Sequence, residues 1–444
     1  MNFYIEKKVG FILGKINIIE NHKFAFIDVL LSIAIFFSVA GFLSIRGMTN
    51  KCFFVLLAIS VFFLRKSIVY LKDNIDRALF RELLMVIIIL SLPTIAVFVN
   101  HVVVGNWAYR YFDGPTRMLY SVFIMMLFIY KRVNYSKMLF ITIPLAIFLT
   151  ALEVYLHPEF SKQWGGRFAT YYVDPNTFGT YSVVLFGICL FQTQFSNKKL
   201  MLFYQIAGVI VSAWLVMGSG TRGSWVALPF ILIVWLFVYK KRYSNDFGYW
   251  AACLLFVLLV GLFYFIPSLR ERALSGVMEV YYWVNGESID TSSGIRLSMW
   301  KMSWQLFIHN PVFGYGDGGY IPYLSKPWFG STATDLVKET IACCGPHNEL
   351  LTNMLNSGIL GGISVIGLFF VPLFFFLKNT FNSNNKISEA SQVGLVYIIV
   401  LIVSSITGGV FHLKYTATFY GLTIAGLFAQ IFSEKMANSK TQHN

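Results

Sequence analysis

Residues 83–101 read LLMVIIILSLPTIAVFVNH. None of the residues before His101 carries a charge, and a helix of this length rises about 28 Å at about 1.5 Å per residue. Because a bilayer has a hydrocarbon core of about 30 Å, this stretch predicts a membrane-spanning helix. It lacks the alternating polar and apolar pattern of a membrane β-barrel strand.

Similar apolar runs recur along the whole chain of 444 residues, which is 57% hydrophobic and 13% charged, with a mean hydropathy of +0.65. This composition excludes a soluble domain of such length. It predicts an all-α polytopic membrane protein with about 12 transmembrane helices. The predicted spans are residues 25–43, 52–70, 83–101, 118–130, 138–156, 178–195, 201–218, 224–239, 249–266, 358–377, 392–411 and 418–433.

The net charge of +14 raises the question of a nucleic-acid partner. With the N-terminus placed in the cytoplasm, a clear majority of the 35 Lys and Arg residues falls on the cytoplasmic side, including Lys7, Lys8, Lys240, Lys241 and Arg242. This is the positive-inside bias of membrane proteins, and it explains the basic charge without nucleic acid. No cleavable signal peptide is expected, because no small-residue cleavage site follows the first apolar run.

The predicted organisation is asymmetric. Residues 1–266 hold spans one to nine, residues 267–357 form one large outer loop, and residues 358–444 hold spans ten to twelve with a cytoplasmic tail. No repeat relates the two halves, and ionisable residues within the spans are scarce, which disfavours an ion-coupled carrier. We therefore expect a functional site at the outer face.

Five cysteines add little to this interpretation. Cys52, Cys189 and Cys253 fall in predicted spans as small core residues. Cys343 and Cys344 are adjacent in the outer loop, where neighbouring cysteines are not expected to bridge each other without strain. Because no spaced ligand pattern occurs, no structural metal site is expected.

The first of three motifs on the outer face is the turn Gly218-Ser219-Gly220-Thr221-Arg222-Gly223-Ser224 between spans seven and eight. Its glycines allow a tight turn and close approach to a ligand. Arg222 is held at the membrane surface, where its fork of donors suits the phosphate of a lipid-linked substrate. The alternative is an arginine that snorkels to lipid headgroups.

The second motif, Gly294-Ile295-Arg296, leads into a helical pattern that stops at Asn310-Pro311. This pattern predicts an amphipathic helix in the membrane interface, with one stripe formed by Trp300, Trp304 and Phe307. Arg296 falls on the same face near the helix start, and a purely structural interfacial helix is the alternative. Residues 314–320 predict a close-fitting glycine-rich loop and not a nucleotide-binding fingerprint, because no strand precedes them.

The third motif is Gly345-Pro346-His347-Asn348, which opens an apolar stretch. His347 should lie at a helix start, where the helix dipole disfavours the imidazolium and keeps the ring neutral near pH 7. A neutral imidazole can act as a general base. Asn348 can orient it or bind a sugar hydroxyl. The alternative is a structural or incidental loop histidine.

Taken in order, these motifs resemble the bacterial O-antigen ligase and polymerase superfamily. The resemblance rests on the Thr-Arg-Gly turn, the Gly-x-Arg before an aromatic helix, the Asn-Pro-x-x-Gly-x-Gly stretch at residues 310–316 and the His347-Asn348 helix start. It covers roughly residues 160–365 by motif and the whole chain by architecture. Asp113-Gly114-Pro115-Thr116-Arg117 is similar to the ligase branch, and Arg167 with Asp174-Pro175-Asn176 is similar to a loop common in the superfamily.

The resemblance implies a GT-C-like glycosyltransferase architecture in the bacterial inner membrane, surrounded by membrane lipids, with the active site facing the periplasm. It implies transfer of a glycan from undecaprenyl diphosphate to lipid A-core, without a cofactor. His347 would be the catalytic base, the diphosphate would bind Arg222, Arg296 and Arg167, and supporting roles would fall to Asn348, Arg117 and Asp174. Because the outer face has no Asp-x-Asp, the arginines are expected to stabilise the leaving diphosphate without metal, and direct displacement would invert the anomeric centre.

Three alternatives stay open beside this O-antigen ligase. An O-antigen polymerase and a protein O-oligosaccharyltransferase share its chemistry, and only the stretch 113–117 favours the ligase. A non-enzymatic polysaccharide flippase or carrier belongs to another class, since it needs no catalytic base.

Overall fold

The computed structural model describes residues 26–443 except 106, 197, 244–249, 251, 252, 255, 258, 259, 262, 263 and 266. Every regular element in this part of the chain is a helix, as the composition predicts. The α-helices, numbered in chain order, are α1 Phe26–Ala40, α2 Met48–Phe62, α3 Leu64–Asn74, α4 Arg77–Val104, α5 Asp113–Lys131, α6 Tyr135–Leu156, α7 Pro158–Lys162, α8 Pro175–Gln192, α9 Lys199–Ser219, α10 Arg222–Trp225, α11 Ala227–Tyr243, α12 Pro267–Val284, α13 Ser292–His309, α14 Asp335–Cys344, α15 Glu349–Asn379, α16 Asn385–Ser405 and α17 Lys414–His443.

Among the described residues, nine helical segments are long and apolar enough to cross a membrane. A tenth is present if α2 and α3, which meet at a bend of 67°, form one span. Helix α1 is a shorter apolar helix, and the predicted span 249–266 lies largely outside the described residues. The chain is therefore a multi-pass membrane protein, and the count of twelve spans stays a prediction.

The spans form one bundle whose core is rich in aromatic side chains. Helix α17 is almost completely enclosed by its neighbours, whereas α4 and α9 expose most of their surface. Phe42 stacks on Phe419 with ring centroids 4.0 Å apart, and Tyr181 meets Phe42 edge to face. After its first turn, α4 exposes many apolar side chains, among them Ile88, Ile95 and Phe98, as expected of a surface that contacts lipid.

The segment 267–357 has a small hydrophobic core of its own, separate from the bundle core. Helix α13 starts at the cap Thr291, whose side chain accepts from the Gly294 amide, and it ends before Asn310 as predicted. Its buried face carries Met299, Met302 and Leu306. Trp304, on the predicted aromatic stripe, is 52% exposed, so α13 has one face in this core and another facing outward.

Helix α15 is broken at Ser357 and Gly358, where the backbone leaves helical geometry and Gly358 has φ +61°. The glycine-rich loop docks at this break. The Tyr315 amide donates to the Leu355 carbonyl at 2.7 Å, and the Ile359 amide donates to the Pro311 carbonyl at 2.8 Å. Backbone hydrogen bonds therefore attach the segment 267–357 to the start of the predicted span 358–377.

Cys343 and Cys344 are joined by a disulfide bond at the end of α14. The expectation that these neighbours stay unbridged is therefore wrong. The Cα atoms of the pair are 3.8 Å apart, and the chain leaves the helix directly afterwards at Gly345, with φ +70°. The two cysteines are the last two residues of α14, and their bond lies where the chain turns away from the helix. Cys52, Cys189 and Cys253 are free.

Candidate functional site

A cavity of about 560 Å³ lies between the segment 267–357 and the neighbouring ends of the bundle helices. It is lined by five of the seven predicted site residues, Arg167, Asp174, Arg222, Arg296 and His347. These side chains come from four separate parts of the chain. The predicted supporting residues Asn348 and Arg117 do not line it.

The turn after α9 positions Arg222. Helix α9 ends at Ser219, and Gly220 adopts φ +59°, which reverses the chain and starts the one-turn helix α10 at Arg222. The Phe168 amide donates to the Gly218 carbonyl at 2.8 Å, and a Cβ at residue 218 would lie 2.1 Å from the Phe168 ring. Glycine is required at 218 because the Phe168 ring occupies that space.

Arg167 braces this turn against the start of α8. Its Nε donates to the Ser219 carbonyl at 2.9 Å, and its Nη2 donates to Asn176 Oδ1 at 2.9 Å and to Thr221 Oγ1 at 3.1 Å. Asp174 caps α8 by accepting from the amides of Asn176 and Thr177. The loop motif found in the sequence therefore fixes the position of the Arg222 turn.

Arg222 forms a bidentate ion pair with Glu279 of α12. Its Nη1 and Nη2 donate to Oε1 and Oε2 of Glu279, each at 3.1 Å, and Nη1 also donates to Ser275 Oγ at 3.0 Å. Glu279 Oε2 in addition accepts from the Ser293 amide at 2.8 Å, in the first turn of α13. One carboxylate thus connects the Arg222 turn to the helix that carries Arg296.

Five arginines line the cavity, Arg110, Arg167, Arg222, Arg272 and Arg296. Arg272 Nε donates to the Gly220 carbonyl at 2.8 Å, so a second arginine braces the turn. Burial, and then the charge of Arg272, lowers the pKa of Arg167 to about 10. Burial and the charge of Arg222 likewise lower the pKa of Arg296. Cations held this close repel one another, and a bound anion would relieve that repulsion. The cluster is therefore suited to an anionic ligand.

Arg296 differs from Arg167, Arg222 and Arg272 in having no partner. It forms no hydrogen bond or ion pair with any residue that the structure describes, although it is half-buried on the cavity wall. Buried or half-buried guanidinium donors are normally satisfied. The donors of Arg296 are therefore available to a ligand.

His347 lies directly before the cap of α15, as the sequence predicts. Its φ of +50° is in the left-handed region, which is uncommon for a residue with a Cβ. Burial, followed by the charges of Arg296 and His412, lowers the pKa of His347. The neutral ring is thus favoured near pH 7. Residues with a strained backbone, such as His347, cluster at active sites.

Asn348 has a structural position. Its Oδ1 accepts from the Leu351 amide at 3.0 Å, which caps α15, and its Nδ2 donates to the Ile406 carbonyl at 3.0 Å. Both ends of the side chain are engaged within the protein. The sugar-binding role predicted for Asn348 stays a prediction, with the cap as its observed contact.

Arg117 lies beside a second cavity and not beside the first. It is 7% exposed, its Nη1 donates to the Asp113 carbonyl, and its guanidinium faces the Phe54 ring. Asp113, which also pairs with Lys414, lines the second cavity. Arg117 therefore contacts Asp113, a residue of the cavity wall, without lining the cavity itself.

Sequence reasoning missed Glu349, a carboxylate that is only 3% exposed and lines the first cavity. Its Oε2 accepts from the amides of Val410 and Phe411, at 2.7 and 3.0 Å. Its Oε1 accepts from Asn353 Nδ2 at 2.8 Å. Glu349 thereby holds the loop that carries His412 against the helix that follows His347.

Arg272 and Glu279 were missed as well, although their spacing is visible in the sequence. Arg272, Ser275 and Glu279 lie three and then four residues apart, which places them on one face of α12. That stripe is the signal from which the second arginine and the connecting carboxylate can be predicted. Within the described residues, no three His, Cys, Asp or Glu side chains are arranged to hold a metal ion.

Comparison with known proteins gives two matches. Residues 207–366 match a family model described as O-Antigen ligase. The chain is also similar to an uncharacterized protein of Haemophilus influenzae (strain ATCC 51907 / DSM 11121 / KW20 / Rd), with 23% identity over 312 residues, which are 68% of this chain and 75% of that protein. The match to the family model includes Arg222, Glu279, Arg296 and His347 and supports a function of the O-antigen ligase or polymerase type. It confirms the resemblance predicted from the motifs, and the match extends over residues 207–366.

Proposed function

We propose that this chain is an O-antigen ligase of the bacterial inner membrane, which transfers a glycan from undecaprenyl diphosphate to lipid A-core at the periplasmic face. The observation that carries the proposal is the first cavity, which is lined by five arginines and by His347, whose pKa is lowered. A diphosphate needs cations, and an acceptor hydroxyl needs a base. The family match at residues 207–366 supports the same class of reaction.

The arginines act on the leaving group. When the bond between C1 of the donor sugar and the phosphate oxygen breaks, the electron pair stays on the undecaprenyl diphosphate, whose negative charge grows. Donors already in place at that position stabilise the charge without reorganising during the reaction. Arg296 has unused donors and makes the first contact, while Arg222 and Arg167 are held nearby by Glu279 and by the turn.

Glu279 occupies the fork of Arg222 in the structure, as a phosphate would. The carboxylate keeps the two guanidinium donors parallel and in plane before a donor arrives. Since bidentate pairs of this kind have a fixed geometry, Glu279 acts as a positioning residue for Arg222. The donor phosphate then shares the fork or displaces the carboxylate.

His347 acts on the acceptor. The acceptor hydroxyl oxygen forms the new bond to C1 as the bond to phosphate breaks, and its proton moves to the neutral imidazole. The products are the glycan joined to the acceptor, undecaprenyl diphosphate and an imidazolium that releases its proton to water. Attack from the side opposite the leaving phosphate inverts the anomeric centre.

Deletion of the gene in its own bacterium tests the proposal, by lipopolysaccharide gels and by analysis of lipid-linked glycans. We expect long glycans to accumulate on undecaprenyl diphosphate and lipid A-core to carry none. A plasmid with the wild-type chain should restore the ladder of glycans, whereas one with His347→Gln should not. A core that carries one repeat unit would contradict the ligase and indicate a polymerase, and an unchanged ladder would contradict both.

A further inference from the structure

A second cavity, of about 470 Å³, adjoins the first. Six residues line both cavities, so that a single layer of side chains separates them: Arg110, Asp317, Glu349, Thr352, Asn356 and His412. Glu349 and His412 belong to the contact that lies beside His347. A ligand in the second cavity can therefore reach the shared side chains Glu349 and His412, and His347 lies on the other side of them.

The walls of the second cavity are apolar at one end. Val97 belongs to α4, Met118 to α5, and Val365 and Leu368 to the part of α15 that follows its break. All three helices are long and apolar enough to span a membrane. The apolar end of the cavity thus lies among membrane spans and suits a hydrocarbon chain.

The other end of the second cavity is polar and carries cations. Lys414 is 60% exposed and pairs with Asp113, which also pairs with the buried Arg117. Arg110 is exposed and forms no ion pair with any residue that the structure describes. Asp113, Asp317 and Glu349 line the same cavity, but Asp113 is paired with Lys414 and Glu349 accepts from backbone amides. The rim therefore suits a polar headgroup at the surface of a membrane, with an anionic group at Arg110.

His101 provides a polar group within this cavity that has no partner. It is 2% exposed, and its Nδ1 bonds to the Val97 carbonyl at 2.8 Å, which leaves Nε2 as the other polar atom of the ring. Among the described residues, Nε2 has no hydrogen-bond partner. Since buried polar atoms are normally satisfied, this atom is available to a hydroxyl of a ligand.

We infer that the second cavity binds the acceptor, an anionic glycolipid whose acyl chain lies on the apolar wall and whose sugar reaches the shared wall. The inference rests on the proposed function. Displacement at C1 places nucleophile and leaving group on opposite sides of that carbon, and the arginines of the first cavity hold the leaving diphosphate. The acceptor must arrive from another direction, and the second cavity meets the first beside His347.

Photocrosslinking in the full-length protein in lipid nanodiscs tests where the acceptor lies. The variant Val97→p-benzoylphenylalanine places the reactive group on the apolar wall, and Val103→p-benzoylphenylalanine is the control, because Val103 is on the same helix but 50% exposed outside the cavity. We expect labelled lipid A-core to be captured at 97 about tenfold more than at 103, with no loss when excess undecaprenyl diphosphate is added. Equal capture at both positions, or competition by undecaprenyl diphosphate, would overturn the inference.

Steady-state kinetics provide a second test with conservative variants. Lys414→Gln removes a rim cation, and His101→Phe keeps a ring among Trp107, Tyr111 and Phe112 while removing the unpaired nitrogen. Each should raise KM for lipid A-core about tenfold, as for loss of about 1.4 kcal/mol, and leave KM for the lipid-linked donor unchanged. A rise in donor KM alone would assign the cavity to the donor chain. If the Val97→p-benzoylphenylalanine variant captured lipid A-core but the wild-type protein transferred no glycan, the proposed function would be overturned while the lipid site remained.

Discussion

At the scale of single residues, His347 combines a left-handed backbone, a half-buried ring and a pKa lowered by burial and by Arg296. If it is the base, His347→Gln should reduce kcat by about 10²–10⁴-fold, the usual contribution of a general base. Binding of the lipid-linked donor should persist, because the arginines are unchanged. Single-turnover transfer and donor binding, measured on the same preparation, separate the two effects.

The pH dependence of transfer tests the same residue. Because the pKa of His347 lies below its ordinary 6.5, the ring accepts a proton only at lower pH, so kcat/KM should hold from pH 7 to 6.5 and fall below that value. Burial opposes ionisation of Glu279, but hydrogen bonds from Arg222 and Ser293 outweigh it and hold the pKa of Glu279 below its ordinary value. Glu279 therefore stays ionised through this range and does not cause the fall. A residual His347→Gln rate with the same acid limb would contradict this assignment.

The fork of Arg222 gives a prediction about geometry. Arg222→Lys keeps the charge but loses the two parallel bonds, each charge-assisted bond being worth about 1.5–3 kcal/mol. We expect kcat/KM for the lipid-linked donor to fall about 10–100-fold. Arg270→Lys is the matched control, since Arg270 lies outside the cavity lining on the same helix as Arg272, and it should transfer at the wild-type rate. Equal rates for the two variants would exclude a bidentate role.

At the scale of elements, the break in α15 joins the segment 267–357 to the bundle. Gly358 has φ +61°, and a Cβ there would lie 2.2 Å from the Val312 carbonyl oxygen. Gly358→Ala should therefore destabilise the protein by more than the roughly 1–2 kcal/mol that a positive φ alone costs. Gly286→Ala isolates that cost, because Gly286 has φ +72° and no atom within 4 Å of an added Cβ. Thermal unfolding in detergent should show the larger loss of Tm for Gly358→Ala, and equal losses would contradict the docking of the loop at the break.

Apolar runs and breakers made most elements of the described chain predictable. The helix from Ser292 to His309 follows from its cap and from Asn310-Pro311, and the span after Gly358 follows from its hydropathy. The bend between α2 and α3 was missed, because the predicted span 52–70 crosses Phe63, where the two helices meet, and includes Arg65 and Lys66 at the start of α3. The bond between Cys343 and Cys344 was also missed, since it depends on where α14 ends.

At the scale of the whole molecule, the bias of basic residues predicts the orientation of the bundle. A phosphatase reporter that is active only outside the cytoplasm should be active when fused after residue 330 and inactive when fused after residue 241. A fluorescent protein that folds only in the cytoplasm should give the opposite pattern. The reverse result at both positions would place the arginine-lined cavity in the cytoplasm and contradict a periplasmic site.

The composition of the site was predictable in part. Arg167, Arg222, Arg296 and His347 carry local motifs, and they line one cavity although they are far apart in sequence. Glu349 was missed because its role lies in contacts with Val410 and Phe411, which only the folded bundle brings close. Arg117 was assigned to the site from its motif, but its side chain contacts Asp113 and the Phe54 ring.

The central claim is transfer of a glycan from a lipid diphosphate with His347 as base and the arginines around it as the anion site. Its most direct test is the reaction of the purified full-length protein in nanodiscs with undecaprenyl-diphosphate-linked glycan and lipid A-core, followed by mass spectrometry and by NMR of the new linkage. We expect a glycan joined to lipid A-core with inverted anomeric configuration, one undecaprenyl diphosphate released per transfer, and transfer by His347→Gln slowed about 10²–10⁴-fold. A retained configuration, or product formation by His347→Gln at the wild-type rate, would contradict it.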